Sequence, residues 1–383
     1  MSDDTSHLAE RLAANQQTLL SEGYAVIDDA LPARTASMLI AEMRTLHKAG
    51  GLRQHRFAVR GSNGQAVLYT KPRIFEAEIE DEAVKQLAPQ FRAHLTELSQ
   101  GLQATASGAF PALSLSTGTS AVSIKLQANE GGSFPYHYDN AGPPSKRRLT
   151  ALFYLNPGWQ ESHGGELVLL PWLRSPISVP PLHNRLVLFL SDAVLHAVRP
   201  KRGGEPRFCF TFWLDGTSTN APSDLRLDSR TPCEELHLHP AQRLLSRATY
   251  AEEYAASIRD CFVETPDQMR AMLSSHDAMI ASAMASAAFA SLVGKARQKK
   301  DEINELARQA SEREARRKAD GASAEAMRDA RQVARMSPLA SDSISVKHDI
   351  EVSVRALAPD RVASSVRVRV AASSNACNPP TCN

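Results

Sequence analysis

The stretch Leu149-Thr-Ala-Leu-Phe-Tyr-Leu155 is an apolar run that stops at the turn-forming residues Asn156-Pro-Gly158. Short runs of the same kind lie on both sides of it, separated by Gly, Pro and Asn: Val122–Gln127, Glu166–Leu170, Ile177–Val179, Arg185–Leu190, Val194–Val198 and Arg207–Leu214. Many short strands at close spacing are typical of a β-sandwich or a jelly-roll barrel. Because strands do not alternate with helices here, a doubly wound parallel sheet is not expected. We predict a mainly β core with a double-stranded β-helix (jelly-roll) fold.

Helical patterns flank this strand-rich region on both sides. Apolar spacing predicts helices at Leu8–Leu20, Ala36–Leu46 and Glu82–Leu102, with strands at Gly23–Asp29 and Val67–Thr70 between them. Residues 241–335 are rich in Ala, Glu, Arg, Gln and Met at helical spacing, and the residues after Ser337 show little periodicity. We predict four segments: a helical and strand support region at 1–110, the jelly-roll core at 111–216, a helical extension at 217–335 and a tail of low order at 336–383.

The composition is that of an ordinary globular protein. Of 383 residues, 43% are hydrophobic and 22% are charged, and the net charge of +2 gives no sign of a nucleic-acid partner. The five cysteines match neither a disulfide framework nor a zinc pattern, which fits a reducing compartment. The polar amino terminus does not resemble a secretory signal, and no apolar stretch reaches membrane-spanning length. We expect an intracellular protein of the cytoplasm or nucleus, with a helical tail available for protein contacts.

His137 and Asp139, in the stretch Phe134-Pro-Tyr-His137-Tyr-Asp139-Asn140, have a spacing that suits two ligands of one metal ion. Side chains alternate between the faces of a strand, so His137 and Asp139 are expected to point the same way. A third ligand, His196, follows much later in the chain. Two histidines and one carboxylate can cap one face of an octahedral metal and leave the opposite positions open, as in non-haem Fe(II) oxygenases. A lone histidine is more often structural, so the interpretation depends on the neighbouring residues.

Arg207 begins the strand that follows His196, and its planar guanidinium suits a dicarboxylate bound through two parallel hydrogen bonds. Arg199 is the rival for this role, but it precedes Pro200 in a charged loop, so Arg207 is preferred.

A second pair of alternate histidines, His237 and His239, lies outside the strand-rich region beside Glu234 and Pro240. It is the weaker candidate for a metal.

An ordered series of motifs resembles the Fe(II)/2-oxoglutarate-dependent dioxygenases. The motifs are His137-Tyr-Asp139-Asn140, Phe153-Tyr-Leu-Asn156, Gly164-Gly-Glu-Leu167, Leu186–Phe189, His196-Ala-Val-Arg-Pro200 and Arg207-Phe-Cys-Phe-Thr-Phe-Trp213. The resemblance covers roughly residues 23–215. It is closest to the prolyl 4-hydroxylase branch, in particular to the intracellular oxygen-sensing enzymes of that branch. It implies a jelly roll that binds Fe(II) and uses 2-oxoglutarate and O2, with L-ascorbate keeping the iron reduced. It also implies a protein or peptide substrate hydroxylated on proline, with release of succinate and CO2.

The resemblance also implies residue roles. His137, Asp139 and His196 match the iron ligands, while Arg207 and Tyr154 match residues that bind the distal carboxylate of 2-oxoglutarate. Thr211 and Trp213 match positions that line the site. The sequence departs from the oxygen-sensing branch at Gln127, where that branch has a tyrosine.

Two alternatives remain open from the sequence. One is the same chemistry on another protein or on a small molecule. The other is a non-catalytic jelly-roll module that binds a partner. The three intact ligand positions favour an enzyme over the non-catalytic module.

Overall fold

The computed structural model describes residues 3–60, 66–140, 142, 144–217, 232 and 241–336, with the backbone alone at 58–60, 66–67 and 318–336. Its strands are β1 (Tyr24–Ile27), β2 (Arg53–Arg60), β3 (Ala66–Glu78), β4 (Val122–Asn129), β5 (Phe134–His137), β6 (Arg147–Tyr154), β7 (Leu167–Pro171), β8 (Ile177–Val179), β9 (Arg185–Leu190), β10 (Val194–Val198) and β11 (Arg207–Asp215). Its helices are α1 (Asp3–Ala14), α2 (Gln16–Glu22), α3 (Ala33–Lys48), α4 (Glu82–Leu87), α5 (Pro89–Ala109), α6 (Gln242–Thr249), α7 (Ala251–Cys261), α8 (Pro266–Met284) and α9 (Ala287–Met336).

The strands form two antiparallel sheets. The larger sheet has the order β1-β9-β6-β11-β4-β3-β2, and the smaller has the order β5-β10-β7-β8. Consecutive strands often lie in different sheets, as when β9 of the large sheet leads into β10 of the small one. The predicted mainly β jelly-roll core with helices before and after it is confirmed.

Three groups of buried side chains hold these layers together. Between the two sheets lie Leu152, Leu167, Leu169, Val187 and Phe189, packed with other apolar residues. The N-terminal helices contribute a second group with the large sheet, and this group includes Leu39, Met43, Leu95, Phe153 and Phe210. The C-terminal helices contribute a third with the small sheet, including Leu170, Leu195, Leu245, Tyr254 and Leu292. Both sheets are therefore supported by helices while the space between them remains available for a site.

Two predicted helices are each divided in the structure. The helix expected at Leu8–Leu20 is divided at Asn15, whose side-chain amide donates a hydrogen bond to the Arg11 carbonyl and competes with the helical backbone pattern. The helix expected at Glu82–Leu102 is divided at Ala88, which has φ −142° and ψ 54°. Pro89 disfavours helical geometry in the residue before it and instead begins α5.

The hairpin of β2 and β3 differs most from expectation. Strand β2 was not predicted, because Arg, Gln and His interrupt its apolar alternation. Strand β3 was expected only at Val67–Thr70, since Lys71-Pro72 reads as an ending, but it continues to Glu78. The pairing register shifts between Gln54 and Arg56, and Arg73 adopts φ +56°, so an irregularity accommodates the proline.

The contacts divide the chain into two units, Met1–Arg317 and Lys318–Asn383. The four predicted segment boundaries stay predictions, and the tail from 337 onward lies outside the described residues. Among those residues, no single helix has the length and apolar composition to cross a membrane; Pro266–Met284 with Ala287–Arg317 meets the criterion only as a pair bent by 113°.

Candidate functional site

Three predicted ligand side chains converge between the sheets. His137 is the last residue of β5, Asp139 follows it by two, and His196 lies on β10 opposite His137 in the strand pairing. The Nε2 atoms of His137 and His196 lie 3.7 Å and 3.6 Å from Oδ1 of Asp139. One nitrogen or oxygen from each residue lies within 4.8 Å of the other two. The strand register thus forms a compact set of two imidazoles and one carboxylate.

Hydrogen bonds on the outer side of each imidazole fix which nitrogen faces the cluster. Nδ1 of His137 lies 2.9 Å from the carbonyl of Pro135, and Nδ1 of His196 lies 3.2 Å from the carbonyl of Val194. A carbonyl oxygen can only accept, so Nδ1 carries the proton in each ring. In the neutral form of each ring, this places the lone pair on Nε2, the nitrogen that faces the cluster, as a metal requires.

Asp139 is oriented in the same manner by two donors. The Thr150 hydroxyl and the Trp213 indole N–H donate to its Oδ2 at 2.8 Å and 2.9 Å. The Thr150 hydroxyl also lies 2.9 Å from the hydroxyl of Ser191. Because both donors engage Oδ2, Oδ1 is left facing the two histidines.

The charge states of these groups also suit a divalent cation. Burial, assisted by the neighbouring His196, lowers the pKa of His137 to about 3, so its imidazole is neutral at physiological pH. Burial works to raise the pKa of Asp139, but its interactions with His196 and His137 hold it below the usual value. Imidazole nitrogens from two histidines and one carboxylate form the donor set that suits non-haem Fe(II). The residues present therefore fit the metal.

A buried guanidinium lies on the strand that completes this cavity. Arg207 donates from Nη2 to the Tyr154 hydroxyl at 3.0 Å, and its Nη1 lies 3.6 Å from Sγ of Cys209. Burial raises the pKa of Tyr154 to about 12, so the phenol keeps its proton. Among the described residues no carboxylate pairs with Arg207, and its Nε has no hydrogen-bond partner. A buried, charged and incompletely satisfied group of this kind suits an anionic ligand.

One cavity of about 260 Å³ unites the two groups. It is lined by the three ligand-type residues and by Arg207, Thr211, Trp213, Gln127 and Cys209, among others. Tyr154 does not line this cavity and is linked to it by the hydrogen bond from Arg207. The rival Arg199 is exposed and does not line this cavity. His237 and His239 lie outside the described residues.

The structure adds cavity residues that the sequence reasoning missed. Thr150 is a buried polar residue within the apolar strand β6, which was a readable signal in the sequence. Lys71, His55 and Glu76 also line the cavity, from strands β2 and β3. No sequence pattern indicates them, since the polar residues of β2 hide its alternation and Lys71-Pro72 reads as the end of a strand.

The chain is similar to a family of known proteins and to several solved structures. A model of the 2OG-Fe(II) oxygenase superfamily matches residues 123–215. The chain is 33% identical to a structure described among prolyl 4-hydroxylases from Phytophthora capsici, with 79% of this chain and 96% of that chain covered and a TM-score of 0.65. It is 24% identical to a Pseudomonas putida prolyl-4-hydroxylase, with 54% and 100% covered and a TM-score of 0.42. It is 20% identical to a Trichoplax adhaerens prolyl hydroxylase in complex with a hypoxia inducible factor peptide fragment, with 57% and 94% covered and a TM-score of 0.44.

Proposed function

The chain belongs to the 2OG-Fe(II) oxygenase superfamily, and on this premise we propose that it hydroxylates a peptidyl proline, using Fe(II), 2-oxoglutarate and O2. The observation that carries the proposal is the shared cavity, in which a two-histidine, one-carboxylate set and the buried Arg207 face one space. Proline is proposed as the target because of the likeness to the prolyl 4-hydroxylase from Phytophthora capsici.

We assign His137, Asp139 and His196 to the iron. Their Nε2 and Oδ1 atoms face one another, and the Pro135 carbonyl, the Val194 carbonyl, Thr150 and Trp213 hold them in that orientation. When bound, Fe(II) and 2-oxoglutarate supply the oxidising chemistry, in which O2 is consumed, 2-oxoglutarate yields succinate and CO2, and the substrate gains one oxygen atom.

Arg207 is assigned to the distal carboxylate of 2-oxoglutarate. Its guanidinium offers two or more donors in one plane, which matches the two oxygens of a carboxylate. Tyr154 accepts from Nη2, fixing the guanidinium, while its own proton remains available for the same anion. Thr211 is proposed to line the co-substrate part of the cavity, where its side chain is half-buried. The apolar side chains of Leu152, Leu167, Phe189 and Val198 exclude water around these groups.

The reaction is tested by measuring succinate formed from 2-oxoglutarate by the purified protein with Fe(II) and O2. We expect the wild type to form succinate and His137→Ala to lose this activity, while His7→Ala, which changes a histidine of α1 outside the cavity, retains it. A wild type that neither binds iron nor forms succinate would overturn the assignment and favour a non-catalytic binding module. Proline-containing peptides are then analysed by mass spectrometry, and oxygen found on a residue other than proline would reject the proposed substrate.

L-Ascorbate, an intracellular location and a protein-binding role for the helical tail are proposals that follow from the sequence alone. Ascorbate should prolong the linear phase of succinate formation, because it returns oxidised iron to Fe(II). Identical progress curves of succinate formation with and without ascorbate would show that the enzyme does not need this reductant.

A further inference from the structure

Lys71 is a buried charged side chain in the cavity to which neither the metal nor the co-substrate assignment gives a role. It belongs to β3, is only 9% exposed, and lines the cavity that holds the three ligand residues. Its Nζ lies 3.6 Å from the ring centroid of Phe134 and 5.5 Å from that of Phe57. The ammonium group is therefore held against aromatic faces inside the site.

No carboxylate or carbonyl of the described residues accepts a hydrogen bond from Lys71 Nζ. The two nearby carboxylates are already engaged, and burial raises the pKa of the neighbouring Cys261 thiol, which keeps that thiol neutral. Glu76 lies 2.5 Å from His55 Nδ1 and 3.2 Å from Lys125 Nζ, and Asp139 is bound by Thr150 and Trp213. Lys125, in contrast, pairs with both Glu76 and Glu78. Of these two lysines in the cavity, Lys71 is the one without an acidic partner.

The charge on Lys71 persists at neutral pH. Burial lowers its pKa to about 8, which still leaves most molecules protonated at pH 7. Removing an ammonium group from water is unfavourable unless an anion or a set of acceptors replaces the water. The aromatic faces of Phe134 and Phe57 compensate for part of that loss, and a bound anion would supply the rest.

The location of Lys71 separates it from the proposed co-substrate site. Tyr154 and Arg207 lie on the neighbouring strands β6 and β11, whereas β3 lies two strands beyond β11 in the same sheet. Neighbouring strands are ~4.8 Å apart, which places β3 about 10 Å from β11. Lys71 Nζ contacts the Phe134 ring whereas Arg207 contacts Tyr154, so the two cations hold different parts of the cavity, and a five-carbon dicarboxylate at Arg207 leaves the Lys71 part for a second molecule.

We propose that Lys71 binds a carboxylate of the primary substrate, next to the group that is oxidised. The inference rests on the proposed function in so far as that substrate reacts at this metal centre. The carboxylate has two possible sources: an acidic side chain adjacent to the target proline in a peptide, or the α-carboxylate of a terminal proline. Both present the same anion to the same ammonium group.

Binding can be measured without turnover in protein loaded with Mn(II) and 2-oxoglutarate under argon. The probes are acetyl-Ala-Pro-Asp-amide against acetyl-Ala-Pro-Asn-amide, and acetyl-Ala-Pro with a free carboxylate against its amide. We expect the preferred carboxylate probe to bind about tenfold or more tightly than its amide, since a desolvated charge pair is involved. Lys71→Met should abolish this ratio, and Lys71→Arg should retain most of it.

Lys85→Met provides the matched control, because Lys85 is a half-exposed lysine of α4 paired with Glu80 and lies outside the cavity. It should leave the carboxylate-to-amide ratio unchanged. The affinity of Lys71→Met for 2-oxoglutarate should stay within about twofold of the wild type, which shows that the cavity is folded. Equal affinity for carboxylate and amide, no measurable binding of any probe, or a preference that survives in Lys71→Met would each overturn the inference.

The same probes in the presence of Fe(II) and O2 separate this inference from the proposed function. A Lys71-dependent carboxylate preference without oxygen on proline would support the anion site and reject the proline substrate. Equal hydroxylation of proline in the carboxylate and amide probes would support the proline substrate and reject the anion site at Lys71. The better of the two carboxylate probes identifies the source of the anion.

Discussion

His137 and His196 are opposite each other in the antiparallel pairing of β5 with β10, and their ring centroids are 4.2 Å apart. The pairing of these two strands thus brings together two histidines that are far apart in the chain. Because side chains alternate along a strand, a slip of one residue would turn one imidazole to the other face. The pairing of β10 with β7, which runs from Val194↔Pro171 to Val198↔Leu167, fixes this register from the other side.

Thr150→Val should weaken iron binding. The change removes one of the two donors to Asp139 Oδ2 while it preserves the shape of the side chain. Loss of a hydrogen bond that orients a metal ligand typically lowers metal affinity about 10- to 100-fold. Fe(II) affinity is measured by titration under argon.

Thr96→Val is the control for this substitution, since the Thr96 hydroxyl donates to the Arg92 carbonyl within α5. It should leave Fe(II) affinity unchanged. Equal Fe(II) affinity in Thr150→Val and the wild type would mean that Trp213 alone suffices to orient Asp139.

Arg207→Met should weaken 2-oxoglutarate binding much more than Fe(II) binding. A charged, bidentate contact contributes a few kcal/mol, so the Kd for 2-oxoglutarate should rise about 10- to 100-fold. Arg199→Met should have little effect, because Arg199 is exposed and does not line the cavity. The two Kd values are measured separately by calorimetry with Mn(II) in place of Fe(II). A parallel loss of metal and 2-oxoglutarate binding in Arg207→Met would indicate misfolding instead.

The buried Lys71 should make the free energy of unfolding depend on pH in the alkaline range. Its pKa is lowered from 10.5 to about 8 in the folded protein, so between these values the unfolded chain binds one more proton than the folded one. The free energy of unfolding therefore rises with pH across this window, whereas below pH 8 the full penalty for the buried charge is present. The total change is about 3 kcal/mol, as an order of magnitude.

Urea unfolding of metal-free wild type and Lys71→Met at pH 7 and pH 10 isolates this effect from other titrating groups. The wild type should gain stability relative to the variant at the higher pH. If the difference in unfolding free energy between the wild type and Lys71→Met were the same at both pH values, Lys71 would be solvated in the folded protein.

Leu245→Ala should destabilise the protein by about 2–5 kcal/mol, since Leu245 of α6 is fully buried against the small sheet. Leu306→Ala in α9 should change stability by less than about 0.5 kcal/mol, because that side chain is 65% exposed. Chemical denaturation of both variants provides the comparison. Similar values for the two would contradict the packing of the C-terminal helices on the core.

The sequence predicted those parts of the fold in which local pattern and burial agree. Strands β6, β9 and β11 face apolar neighbours on both sides, so their apolar runs predicted them within a residue or two. Strand β2 was missed because part of it borders a polar cavity, where His55 contacts Glu76 instead of an apolar core. Local alternation cannot indicate a strand whose inward residues serve a site.

The residues of the site also fall into those that the sequence indicates and those that it does not. His137, Asp139 and Arg207 stood in motifs that could be read, and the structure brings them to one cavity. Lys71 could not be placed from the sequence, because its position depends on the irregular pairing of β2 with β3 and on the ring of Phe134 from another strand. Such contacts between distant segments leave no periodic trace.

Strand β5 lies at the edge of the small sheet, and helix α7 packs along it. The Tyr136 N–H donates to the Ser257 hydroxyl at 3.0 Å, so a side chain occupies the place that a carbonyl of an added strand would take. An uncovered edge strand is a template for pairing with another molecule. Helix α7 therefore protects the strand that carries His137 from intermolecular β-sheet growth, and chains that lack this helix would be prone to aggregate through their own metal-binding strand.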